Sequence, residues 1–122
     1  MEKNRNFLKI FHYAFRGVYL AVKIDRNAKI QIAVALAVLL LAFVLRVSVI
    51  EFLFVIVASF LVIILELINT ALEKTMDFIH QDYHPEIGMI KDILAGAVWL
   101  TAVMSLVIGL TIFLPKIIKL LQ

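Results

Sequence analysis

Three long apolar runs limit what this chain can fold into. They extend from about Ile30 to Ile50, from Phe52 to about Leu72 and from Ile93 to Leu114, each near the roughly 20 residues a helix needs to cross a hydrocarbon core. None shows the in-and-out alternation of a barrel strand, and a backbone in lipid must satisfy its own hydrogen bonds. An all-α integral membrane fold with three spans is therefore predicted. Of the 122 residues, 64% are hydrophobic, against about 45–50% in soluble domains. No repeat or Ser/Gly-rich linker divides the chain, so residues 1–122 are read as one domain. The lack of Cys excludes disulfides, thiolate metal sites and Cys nucleophiles.

The joints between the runs are informative. Around Arg46 and Glu51 the first two runs nearly touch, which demands an antiparallel helical hairpin with a very short turn. Lys3, Arg5, Lys9, Arg16, Lys23, Arg26 and Lys29 all precede the first run, whereas Arg46, Lys116 and Lys119 fall on the other side. The positive-inside bias then puts the N-terminus and the Glu73–Asp92 connection in the cytoplasm and the C-terminal tail outside. No cleaved signal peptide is expected. Over about residues 6–27, Phe7, Phe11, Phe15, Val18 and Val22 recur at helical spacing, with Lys9, His12, Arg16 and Lys23 between them. That pattern predicts an amphipathic surface helix lying in the headgroup region. Periodicity alone makes it an anchor and gives Tyr13, Arg16 and Gly17 no chemical role.

Glu66 interrupts the second run. A carboxylate near the bilayer interior costs roughly 2.5–3.5 kcal/mol on insertion scales, so it is rare unless it faces a partner, a cavity or a substrate. Asn69, Glu73 and Asp77 follow it at helical spacing, and at about 100° per residue all four lie within about 80° of one another. A polar stripe thus leads from inside the membrane to the water. Three chemistries suit it. Grouped carboxylates bind a hard divalent cation such as Mg²⁺. A desolvated Glu serves as a general base near neutral pH. Acids in series relay protons through a transporter. A plainer reading leaves Glu73 and Asp77 as a solvated helix end and the stripe as bundle hydrogen bonding.

Beyond the stripe, Asp82-Tyr83-His84-Pro85-Glu86 reads as a polar turn in which Pro85 ends a helix, and Lys91-Asp92 stands just before the third run. Such a turn can hold an anionic ligand, or it is simply exposed with Lys91 snorkelling. His80 and His84 do not make a convincing zinc site. The glycines are scattered and no phosphate-loop, dinucleotide or nucleophile-elbow motif occurs. One chain also has too few helices to enclose a buried carboxylate and hold two substrates, and Ala95-Gly96-Ala97 offers a small-residue patch. A homo-oligomer is predicted.

The run Glu66-Leu-Ile-Asn69-Thr-Ala-Leu-Glu73-Lys-Thr-Met-Asp77, with Tyr83-His84, Lys91-Asp92-Ile-Leu-Ala-Gly96 and Tyr13-Ala-Phe-Arg16-Gly17, resembles the signature of prokaryotic diacylglycerol kinases and undecaprenol kinases. The resemblance covers nearly the whole chain. Asn69-Thr70 and Phe113-Leu-Pro115-Lys116 make it more similar to the undecaprenol-kinase branch of Gram-positive bacteria.

The resemblance implies a homotrimeric lipid kinase of the bacterial cytoplasmic membrane. It would use ATP and Mg²⁺ to phosphorylate a lipid alcohol, undecaprenol or diacylglycerol, with no nucleic-acid partner. Carried over by position, Glu66 would be the general base, and Asp25 and Glu73 would hold Mg²⁺. Asp82, Tyr83, His84, Lys91 and Asp92 would contact ATP, Tyr13 would close the site, and Asn69 and Asp77 would support it. Arg16, Gly17 and Gln31 would lie on the lipid side. Three positions depart from the family pattern: Asp25 stands where Glu is usual, Asn6 where Arg is usual and Gln31 where the related branch has His. The competing class is a non-enzymatic membrane protein, either a proton-coupled transporter subunit or a degenerate family member.

Overall fold

A computed structural model describes residues 2–122, with side chains from Asn6 onward. Met1 and the side chains of Lys3 and Arg5 lie outside the described residues. The chain is all helical: α1 is Glu2–Ile24, α2 Arg26–Val44, α3 Val49–Ile79 and α4 Pro85–Leu121. The last three are long and apolar enough to cross a membrane. Packed by both α2 and α4, α3 is the central element, while α1 reaches α2 and α3.

Each boundary has a local cause. Asp25, in extended backbone, caps α2 by accepting the Asn27 N–H at 2.9 Å, so the first helix ends at Ile24 and not near residue 27. α2 stops at Val44, well before Ile50, because Arg46 takes a left-handed φ of 52°, a conformation uncommon outside glycine. The expected short turn is there, between Val44 and Val49; hydropathy cannot fix where it begins, since Val47, Val49 and Ile50 are themselves apolar. Ser48 then opens α3 through a capping box: its hydroxyl accepts the Glu51 N–H at 3.1 Å and its own N–H bonds the Glu51 carboxylate at 2.9 Å. Such reciprocal caps satisfy two orphan donors at once. At the other end Pro85 does not end a helix; it opens one. It holds the first position of α4 behind the N-cap His84, where its missing N–H would have had no partner anyway.

Packing follows a seam of small residues. Ala28, Ala35 and Ala42 recur every seven positions along α2 and are all buried. Between helices in lipid there is little hydrophobic driving force, so close backbone approach at small residues supplies dispersion contacts. At the end nearest the α2–α3 turn, Ala42 and Val55 join Ile112 and Phe113 of α4 in a buried cluster. Replacing Ala42, fully buried, by Leu would overpack this seam at a cost of typically about 1–3 kcal/mol. Lys116 adds an ion pair to Glu51 at 3.1 Å, fixing α4 to the start of α3.

Candidate active site

The 31 residues of α3 extend about 46 Å at 1.5 Å per residue, more than the roughly 30 Å hydrocarbon core. The helix therefore carries its polar stripe from a buried environment to an exposed one. Glu66 is 4% exposed, Asn69 is half-buried, and Glu73 and Asp77 are exposed. One chain suffices for this enclosure of Glu66, contrary to the expectation drawn from helix number. The start of α2 provides the missing wall, through residues that hydropathy assigned to the preceding surface helix.

Asp25 supplies the chemistry of that wall. Its Oδ1 accepts the Asn27 N–H, and its Oδ2 accepts the hydroxyl of Thr70, whose Oγ1 also lies 2.9 Å from the Glu66 carbonyl oxygen. The Glu66 carboxyl group faces Asp25 from one turn before Thr70. Partial burial works to raise the Asp25 pKa, but hydrogen bonds from Thr70, from the Asn27 N–H and with Glu66 outweigh it and hold the group below the ordinary 3.8. Asp25 is thus ionised at neutral pH. Its contribution to stability is present above about pH 3.8 and is lost as pH falls through the lower folded value. Among the described residues, the ion pairs join Lys91 to Asp77 and Lys116 to Glu51, and neither Asp25 nor Glu66 has a cationic partner. Two adjacent carboxyl groups left without a cation are the hard oxygen donors a divalent ion takes.

The other expected residues fall in three places. Glu73 lies two turns from Glu66, near enough for their charges to interact; no three acidic or imidazole side chains among the described residues converge on one metal position. Lys91 reaches back from α4 to Asp77 at 3.1 Å, so the stripe and the Lys91-Asp92 pair meet at the same end of the molecule. Asp92 and Asp82 are exposed, and the Asp82 carbonyl lies 2.9 Å from His80 Nδ1. The His84 Nδ1 caps α4 by accepting the Glu86 N–H at 3.2 Å, which leaves only Nε2 for a ligand. Tyr83 is exposed, and its ring lies against Gly88. Tyr13, Arg16 and Gly17 are exposed on α1. The ring of Tyr13 packs edge-on to His12. Gln31 lines an apolar cavity of about 450 Å³ between α2, α3 and α4.

Thr70 was not among the expected site residues. It lies about 40° from Glu66 around the helix, on the stripe's own face, so register was the available signal.

These features define a helical membrane protein with a gathering of acidic groups, the Lys91 cation paired to Asp77, and a polar turn. Comparison with known proteins supplies the family. Residues 12–113 match the family model described as prokaryotic diacylglycerol kinase. The chain is 42% identical over 116 residues to an undecaprenol kinase of Bacillus subtilis, covering 95% of this chain and 94% of that one. It is 38% identical over 117 residues to a diacylglycerol kinase of Synechocystis, covering 95% of this chain and 67% of that one. The chain belongs to the prokaryotic diacylglycerol kinase family and is a membrane lipid kinase. A non-enzymatic transporter subunit is set aside on that ground.

Proposed function

We propose that this protein transfers the terminal phosphoryl group of ATP to the hydroxyl of a membrane lipid, undecaprenol in preference to diacylglycerol, at the cytoplasmic face. The observation that carries the reading is the buried Glu66 facing the Asp25 carboxyl group, with no cation paired to either among the described residues. Full-length similarity to the undecaprenol kinase favours that lipid over diacylglycerol.

Phosphoryl transfer asks mainly for in-line positioning and charge neutralisation. The Asp25 carboxylate, with Glu73 further along the stripe, fits Mg²⁺, which needs only one or two protein carboxylates beside waters and substrate phosphates. When bound, the ion would neutralise phosphate charge. Glu66 accepts the proton of the lipid hydroxyl as its oxygen bonds the γ-phosphorus and the bond from that phosphorus to the bridging oxygen breaks, ADP leaving with the electron pair. Its depth in the membrane suits an alcohol that arrives from the bilayer. Lys91 leaves Asp77 for the phosphates, while Asp82, Tyr83, His84 and Asp92 line the nucleotide side and Asn69 supports the base. Tyr13 closes over the nucleotide when α1 settles, with Arg16, Gly17 and Gln31 toward the lipid.

The surrounding assignments follow the same reading. α1 lies in the interface of a bacterial cytoplasmic membrane, its Phe7, Phe11 and Phe15 toward lipid, with the N-terminus cytoplasmic. Ala95 and Gly96 are exposed on α4, and no other residue stands over Gly96, leaving the small-residue patch free for helix contact in a homotrimer. The test is transfer from labelled ATP into undecaprenol and diacylglycerol side by side in lipid nanodiscs. Both the reading and the preference predict labelled undecaprenyl phosphate in excess. Equal labelling would remove the preference, and no labelled lipid would remove the reading.

A further inference from the structure

We propose, building on the lipid-kinase reading, that Thr70 is the positioning residue of the acidic pair, its hydroxyl fixing the Asp25 carboxylate in the orientation that faces Glu66. Asp25 stands in extended backbone between two helices, where a carboxylate anchored at one oxygen keeps rotational freedom about its side-chain bonds. The Asn27 N–H, two residues away, holds Oδ1; the bond from Thr70 holds Oδ2, with the Glu66 carboxyl group facing the pair it sets. That bond spans 45 residues of sequence and ties α3 to the opening of α2.

Thr70 is suited to the task by its own constraints. It is 6% exposed, so water does not compete for its hydroxyl. In a helix, threonine divides between rotamers because its oxygen can bond the preceding turn. Here Oγ1 lies 2.9 Å from the Glu66 carbonyl, which aims it at the α2 junction. A hydroxyl has one hydrogen to give, and the ionised Asp25 is the stronger acceptor. The Glu66 carbonyl thus selects the rotamer and Asp25 takes the proton. Because Thr70 is one turn from Glu66 on the same helix, it also sets the spacing between the two carboxyl groups.

The experiment uses intact protein in nanodiscs and compares wild type with Thr70→Val, Thr70→Ala and Thr70→Ser. Two quantities are read: Mn²⁺ binding without nucleotide, by electron paramagnetic resonance, and the Mg²⁺ activation constant beside kcat. Loss of an orienting partner typically weakens metal binding 10–100-fold. Thr70→Val should weaken Mn²⁺ binding by about 10-fold and raise the Mg²⁺ activation constant in step, with a smaller fall in kcat. Thr70→Ser should restore wild-type binding. In an Asp25→Ala background Thr70→Val should add no further loss, since a residue acting through Asp25 has nothing left to position. Should Thr70→Val fail to assemble, Thr70→Ala carries the same expectation. Wild-type Mn²⁺ affinity in a folded variant lacking the hydroxyl, an undiminished loss in the Asp25→Ala background, or no Mn²⁺ binding by wild type would each overturn the proposal. Absence of phosphate transfer by wild type would instead sink the kinase reading, with the Mn²⁺ comparison still deciding the role of Thr70.

Discussion

The start of α3 and its middle handle a carboxylate at a helix junction in opposite ways. Near Ser48, Glu51 closes a capping box and pairs with Lys116 at 3.1 Å, so its charge and its hydrogen bonds are spoken for. Near the middle of α3, where the opening of α2 packs, Asp25 also caps a helix, but its neighbour is Glu66, another acid, and Thr70 offers a hydroxyl in place of a cation. The first arrangement is complete as it stands. The second brings like charges together beside lipid and leaves them in need of a metal or a proton, which is how functional sites differ from structural ones.

Breaking the unbalanced junction should cost activity first. Glu66→Gln keeps the shape of the side chain and removes the base, and kcat should fall by about 10²–10⁴-fold, the usual scale for general-base loss. Steady-state transfer into lipid at saturating ATP checks it. Glu73→Ala should raise the Mg²⁺ needed for half-maximal rate by roughly 10-fold or more, because a hard-oxygen donor is lost; an unchanged Mg²⁺ titration would make Glu73 a solvated helix end. Between the two junctions in effect stands the exposed Asp77–Lys91 pair, with side chains 61% and 42% exposed. Such pairs contribute little to stability. Asp77→Asn should accordingly leave the melting temperature alone while changing KM for ATP several-fold, as Lys91 loses its resting partner. Smallest in activity is Glu51→Gln, which should lower the melting temperature yet leave kcat within about twofold, since Glu51 lies outside the acidic junction proposed to carry the chemistry.

Much of this contrast was readable in the residues. Unbroken apolar length fixes three spanning helices, and the spacing from Glu66 to Asp77 places one polar face on α3. Harder to read were the features that depend on tertiary placement. The short turn around Arg46 and Glu51 was legible, but where α2 stops, at Val44 and not at Ile50, was not, because hydropathy records composition and not φ. The alanine seam of α2 is hidden because almost every side of that helix is apolar. Thr70 carries no charge, and threonine in a helix commonly bonds its own preceding turn, so its reach to Asp25 shows only when α2 is packed against α3. Asp25 itself was legible as a site residue through family resemblance, yet its role as a helix cap, which moves the boundary from residue 27 to residue 24, is local chemistry that the periodic run of α1 obscured.

Swapping one carboxylate for its amide at the start of α3 and one at its middle tests the account most directly. Single-turnover transfer of labelled phosphate from ATP to lipid and the thermal midpoint should be measured together for Glu66→Gln and Glu51→Gln. A crossed result is predicted: Glu66→Gln loses transfer with its midpoint unchanged or raised, because a buried carboxyl group has been made neutral, and Glu51→Gln loses midpoint with transfer intact. Near-normal transfer by a folded Glu66→Gln protein would contradict the claim that the acidic junction of α2 and α3 is where the chemistry occurs.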